Sequence, residues 1–227
     1  MRNEKAETYT MENVSEIYDK PIDHYTILKN IVDRILPFKL GSLIVLDLGM
    51  VYYCFFHWEK RDLSNQEFSY HKKYQTILLL WVFIIMTPME AIFVHILAEQ
   101  WSITFAWICT SISLYTIIQL LGIINSIPNR PISIENGNLN LRYGLISETT
   151  IPISDISDLE LNLKSIDCCD KIHNLSPFWH FEGHNVLINL KTKATLNRVY
   201  GFKTTYKAIA FHVDDKNSFI EALQLGI

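Results

Sequence analysis

The 227-residue chain predicts a membrane protein of the α+β class, with three apolar helices followed by a strand-rich domain that closes on a helix. Three observations predict it. Hydrophobic residues make up 49% of the chain and charged residues 19%, a balance too apolar for a surface facing only water. The excess lies before Ile127, in three runs. After Pro128 and Pro131 the pattern changes to short alternating stretches punctuated by turn residues.

The runs are Leu40 to Phe56 (extending to His57), Thr76 to Ala98 and Trp101 to Ile127. A helix of roughly 20 apolar residues crosses a hydrocarbon layer about 30 Å thick. The second and third runs meet that length, and the first meets it with Phe38 and His57 or Trp58 at the interface. Phe55, Phe56, Trp58 and Trp101 suit interfacial belts. Glu99 and Gln100 alone separate the last two runs, so these form a tight helical hairpin.

The first 37 residues are mixed in charge and carry no early apolar stretch of the signal-peptide kind. Ile27, Leu28, Ile31, Val32, Ile35 and Leu36 recur at helical spacing opposite Lys29, Asn30, Asp33 and Arg34. They predict an amphipathic helix that lies on the bilayer or packs against the carboxyl-terminal domain. Three passes put the two ends of the chain on opposite sides. Lys29, Arg34 and Lys39 flank one side, and Lys60, Arg61, Lys72, Lys73, Arg130 and Arg142 the other. The positive-inside rule then places the last domain in the cytoplasm, a compartment that also suits the adjacent Cys168 and Cys169. The expected location is a cell (inner) membrane, crossed several times.

From 128 onward, ISIENGNLNLR alternates around Asn136-Gly137, a hairpin signal because both residues tolerate positive φ. A strand follows from Leu145 to Ile153, then a turn or bulge near Asp155, then alternation through Leu159, Leu161 and Leu163. Asn185 to Leu190, Ala194 to Tyr200 and Ala208 to Val213 read as three more strands. Asp215 caps a short helix, Lys216 to Leu223, with Phe219, Ile220 and Leu223 on one face.

Several short strands and one terminal helix within 128–227 are the element order of a pleckstrin-homology-like roll. ISIENGNLNLRYGLISETTIPISDISDLEL resembles the opening of bacterial PH-like domains, with its Tyr-Gly turn and following "IP…I" strand. NVLINLKTKATLNRVYGF resembles their later hairpin, and AIAFHVDDKNSFIEAL their last strand, Asp pair and closing helix. The resemblance departs in the insert from Lys164 to Gly183. It implies a β-roll or barrel with a carboxyl-terminal helix, beside membrane spans, and carries no chemistry of its own.

Three constellations are candidates for function. Cys169 and His173 are four apart, as are His180 and His184, so helical turns would present each pair to one zinc ion, with Cys168 adjacent. No CxxC accompanies them, and a loop with scattered histidines explains them as well. Lys191, Lys193, Arg198, Lys203 and Lys207 run without an intervening acid, interleaved with Tyr200, Phe202 and Tyr206, and suit anionic headgroups or an anionic ligand. Against this, 128–227 holds ten Lys+Arg and eleven Asp+Glu, and alternating strands expose such charges routinely. Asp47, Glu90 and His95 interrupt the apolar runs at a cost, and serve function or join helices to one another or to Asn125.

The net charge of −4 excludes a global basic field for nucleic acid. No nucleophile elbow, phosphate loop, dinucleotide fingerprint or HExxH occurs, so neither an enzyme nor a cofactor is expected. The leading expectation is a membrane-anchored protein whose PH-like domain binds a protein, peptide or lipid. The alternative is a sensor of an anionic small ligand whose spans associate as a homo-oligomer and alter permeability. A metal-dependent membrane enzyme ranks last.

Overall fold

The computed structural model describes residues 25, 32, 38–56, 63–64, 66–71, 76–161 and 172–225. Within them the class is mixed α+β, built from four helices of defined bounds and an eight-stranded sheet. The first three helices are α1 (Phe38–Phe56), α2 (Thr76–Glu99) and α3 (Ile103–Asn129).

Helices α2 and α3 form the expected hairpin. Its turn is closed by the Trp101 and Ser102 amides donating to the Ala98 carbonyl, both at 3.0 Å. Ala98 and Ala106 are buried where the helices meet, small side chains that let the backbones approach. Both helices are long and apolar enough to cross a membrane. Along α2, Thr76, Leu80 and Ala98 are the buried positions, and the helix continues through Pro88.

The first run forms α1, and its expected crossing is not shown. α1 lies between α3 and the sheet and buries Val45, Leu46, Met50, Tyr53 and Cys54. It runs parallel to α3, with Met50 beside Gly122 and the Asn125 amide donating to the Tyr53 carbonyl at 3.2 Å. A Cβ on Gly122 would stand 2.1 Å from the Met50 carbonyl oxygen, so glycine is what allows this approach. On its other side α1 packs Val45 and Leu46 against Leu145, Tyr25 and Val32. The Tyr25 ring sits 4.6 Å from the Arg130 guanidinium carbon, at the sheet end of α3. Among the described residues α2 and α3 are long and apolar enough to be spans, and a third crossing is not shown; α1 is apolar too, and a protein interior accepts an apolar run as readily as lipid does. Of the predicted amphipathic helix, Val32 packs toward α1 and Leu145, and the rest lies outside the described residues, as do His57 and Trp58.

The strands are β1 (Glu67–Phe68), β2 (Ile132–Glu135), β3 (Asn138–Tyr143), β4 (Ser147–Pro152), β5 (Ile156–Leu161), β6 (Ile172–Asn174), β7 (Val186–Arg198) and β8 (Lys203–Phe211). Their order is β1-β2-β3-β4-β7-β8-β6, with β5 on β7. The Asn136-Gly137 hairpin forms as expected, with φ of 51° and 71°. A 3-10 turn over Ile153–Asp155 and a register shift between Ile156 and Asp158 occupy the expected break. Two predicted strands, Asn185 to Leu190 and Ala194 to Tyr200, are instead one. β7 runs through Lys191, Thr192 and Lys193 because its pairing with β8 shifts register between Asn189 and Ala194, bending the strand without ending it.

β1 was not expected. It comes from the link between α1 and α2, yet pairs with β2 at the sheet edge, Phe68 opposite Ile132. The Ser69 carbonyl also accepts from the Asp214 amide at 2.9 Å. The core holds Leu139, Leu141, Ile151, Ile188, Leu196, Tyr206 and Ile209, all with at most 2% exposure. Tyr206 meets the Thr149 hydroxyl at 2.7 Å, and burial pushes its hydroxyl up to about 12. The last helix, α4 (Lys216–Leu225), caps the core with Phe219, edge-on to Phe68 and Phe211 at 5.2 and 5.9 Å. Asp215 caps α4 as expected, accepting from the Ser218 hydroxyl at 2.7 Å and the Ser218 amide at 3.2 Å. These bonds, the hydroxyl's first, hold its carboxyl below the usual range.

Candidate functional site

One end of the sheet meets the helices, and there the chain builds a cleft. Arg130, just past α3, is the joint. It is 2% exposed, donates to the Gly144 carbonyl at 2.8 Å and pairs with Glu148 at 3.1 Å. A buried charge needs such partners, since removing one leaves an uncompensated ion. The Tyr70 hydroxyl binds both chain segments, accepting from the Gly144 amide at 2.8 Å and donating to the Ile127 carbonyl at 3.1 Å. Burial holds the Tyr70 hydroxyl above its ordinary range. Gly144 has φ of 50°, and a Cβ there would lie 2.6 Å from the Ser126 hydroxyl. Only glycine lets the β3–β4 turn press on the last turn of α3, where Ser126 accepts from the Leu145 amide at 3.2 Å.

β4 and β7 pair here, Ser147 opposite Arg198, so the turn from β7 to β8 falls at the same end. That turn places Tyr200 at φ 59° before Gly201 at 74°, a conformation costing a non-glycine residue roughly 1–2 kcal/mol. The Arg198 amide donates to the Phe202 carbonyl at 2.8 Å and closes the turn. Between this turn and α1 lies a cavity of about 210 Å³, whose polar lining includes Ser42, Glu148, Asn197, Arg198, Tyr200 and Lys203. Arg198 also donates to the Asn174 carbonyl at 3.1 Å, which fixes its guanidinium. Among the described residues the lining carries two cations and one carboxylate, Glu148, which pairs with Arg130.

The predicted basic stretch is thus divided. Arg198, Tyr200 and Lys203 reach the cleft. Lys191 lies at the far end, its ammonium donating to the Ser154 carbonyl at 2.7 Å, next to the turn whose Ile153 amide bonds Gly137. Lys193 and Lys207 are exposed on β7 and β8. Ser42, Glu148 and Asn197 carry no motif, and only the fold brings them together.

The histidines do not share a face. His173 is in strand β6 and His180 and His184 flank irregular chain, so helical four-residue spacing does not apply. His180 lies on the Trp179 ring at 3.6 Å, and burial pushes the His184 imidazole down. Among the described residues no three His, Cys, Asp or Glu side chains gather as a metal site. Cys168 and Cys169 lie outside those residues.

The polar groups of the apolar helices act as joints. Asp47 of α1 accepts from the hydroxyl of Tyr115 and from the Gln119 amide, the latter at 3.1 Å. His95 of α2 meets the Thr110 hydroxyl of α3 at 2.7 Å and stands edge-on to Trp107. Glu90 faces outward on α2. Asp47, Glu90 and His95 are therefore not one cluster.

No protein-family model, curated protein or solved structure matches the chain.

Proposed function

We propose that this chain is a membrane-anchored binding module whose cleft, at the junction of α1 and the sheet, takes an anionic lipid headgroup. The carrying observation is that Arg198 and Lys203 line a cavity beside α1 whose one carboxylate among the described residues, Glu148, pairs with Arg130. Cations on a membrane-tethered domain attract anionic lipid. The meander β2 to β5, the β7–β8 hairpin and the capping helix α4 support a PH-like roll.

The anchor is the α2–α3 hairpin, with α1 as its buttress. No Lys or Arg occurs between Thr76 and Asn129, so all 20 basic residues of the chain fall on the sheet's side of a two-pass hairpin. The positive-inside rule then supports a cytoplasmic sheet. Reporters that function only in the cytoplasm, fused in turn to each end of the chain, test this topology. Two passes give activity at both ends, whereas three passes give it at one.

For the headgroup, the full chain is melted in neutral detergent with a short-chain anionic phospholipid or its zwitterionic counterpart. A ligand that binds only the folded state raises the melting temperature with concentration. The anionic lipid should raise it and the R198A/K203A double variant should abolish the shift. Equal shifts with both lipids defeat the headgroup reading.

A second reading, self-association of the hairpins, is favoured by Glu90 alone. It is exposed between Met86 and Phe93, themselves 53% and 65% exposed, and a carboxylate at the centre of a span costs about 2.5–3.5 kcal/mol on insertion scales. Under this reading E90Q lowers the yield of cross-linked oligomers.

A further inference from the structure

The sheet domain carries an aromatic rim. Its described residues from 130 to 225 expose five large apolar side chains, namely Leu161, Trp179, Phe181, Tyr200 and Phe202. The four aromatics lie on two turns at the helix-proximal end of the sheet. Trp179 and Phe181 belong to the turn that ends at Glu182, whose carboxylate accepts from the Tyr143 hydroxyl at 2.5 Å and from the hydroxyl of Thr76, the first residue of α2. Leu78, two residues further along α2, is already 62% exposed. This turn therefore sits where the apolar surface of the hairpin begins. Tyr200 lines a second cavity with Ile44, Asp47 and Gln119, so its turn lies alongside α1 and α3. The two turns flank the helices from different sides, and the Asn136-Gly137 turn marks the opposite end of β3, about 20 Å away.

Phe181 and Phe202 are 69% and 68% exposed, and exposed aromatics of this size gathered at one end mark an interaction surface. The surface is continuous with the apolar belt of α2. Tyr and Trp, each with an apolar ring and a polar edge, are the residues enriched at the water–lipid boundary. Lys203 follows Phe202 directly, a cation at the height of headgroups. We infer that Trp179, Phe181, Tyr200 and Phe202 seat the sheet domain on the bilayer that holds its own hairpin, in the interfacial layer. The seat fixes the tilt of the domain and turns the Arg198–Lys203 cleft toward the headgroups. It rests on the hairpin being a membrane anchor, but not on the charge of the lipid.

The test uses the full chain in vesicles of purely zwitterionic lipid, with or without bromine on the first acyl carbons as a contact quencher of tryptophan. Trp107, 61% exposed on α3, reports the anchor. In a W179F background, Trp is placed at Phe202 or, as control, at Asn136. The wild-type minus W179F difference isolates Trp179, and each introduced Trp is read as its own difference from W179F. The W179F parent, which keeps Trp107 with the other native tryptophans, reports the anchor. Brominated lipid should dim Trp179 and F202W about twofold while sparing N136W, as expected for rings in the interfacial layer. Quenching of Trp107 with Trp179 and F202W no dimmer than N136W overturns the seat and leaves the anchor standing. Absence of quenching at Trp107 as well overturns both. Shielding of F202W from aqueous iodide without quenching by lipid assigns the rim to a second protein surface and likewise overturns the inference.

Discussion

The sheet domain and the helical hairpin are built inside out with respect to one another. The sheet buries Leu139, Leu141, Ile188 and Ile209 completely and shows lysines and acids to its surroundings. The hairpin shows Leu78, Ile92, Phe93, Ile112 and Leu114, each more than half exposed, and uses His95 as a joint between its own helices and Gln119 as a joint to Asp47 of α1. α3 passes from one regime to the other along its length. Residues 103–108 are exposed except Ala106, whereas Gly122, Ile124, Ser126 and Ile127 are buried. The same apolar side chain therefore stabilises through protein packing at one end and through its surrounding solvent at the other.

Substitutions can break this contrast. Ile188→Ala in the sheet core should cost about 3 kcal/mol, whereas Ile112→Ala on the hairpin surface should leave the detergent melting curve almost unmoved. Equal losses would mean that the exposed face of α3 is covered by protein. Gly122→Leu, which drives a side chain into the Met50 carbonyl, should cost about 2 kcal/mol and loosen α1, seen as faster proteolysis of the amino-terminal segment. At the joint, Glu148→Ala removes a carboxylate partner of the buried Arg130. Because Glu148 is 24% exposed, the loss should be below the full buried-pair penalty, about 1.5 kcal/mol, read from the same melts. The smallest effect is a pH dependence. The Tyr206 hydroxyl is raised from 10.0 to about 12 by burial, so folding retains a proton that the unfolded chain releases. Its contribution is fully present below pH 10 and fades as pH climbs through 12. Tyr206→Phe should flatten that part of the alkaline melting profile.

Much of this contrast was legible in the residues. The two longest apolar runs, the Asn136-Gly137 hairpin and the Asp215 cap each rest on local physics, and each appears where it was expected. α1 was not legible as a buttress, because 17 apolar residues read alike whether their surroundings are lipid or packed protein. The partners that distinguish these, Tyr25, Leu145 and Gly122, are remote in sequence. β1 has two residues, too few for any period. Lys191 and Lys193 interrupt an alternation that the paired strand β8 carries across, so β7 looked like two strands. Of the candidate site, the stretch containing Arg198, Tyr200 and Lys203 was visible, but its division between two ends of the sheet follows from strand direction. Ser42 and Glu148 join it only in three dimensions.

The edge strand β1 has a consequence for assembly. It leaves the ribosome before the hairpin, while β2, against which it pairs, emerges only after both long helices. The sheet thus cannot close its edge until α2 and α3 have been synthesised. Closure of that edge becomes a built-in report that both long helices have been made.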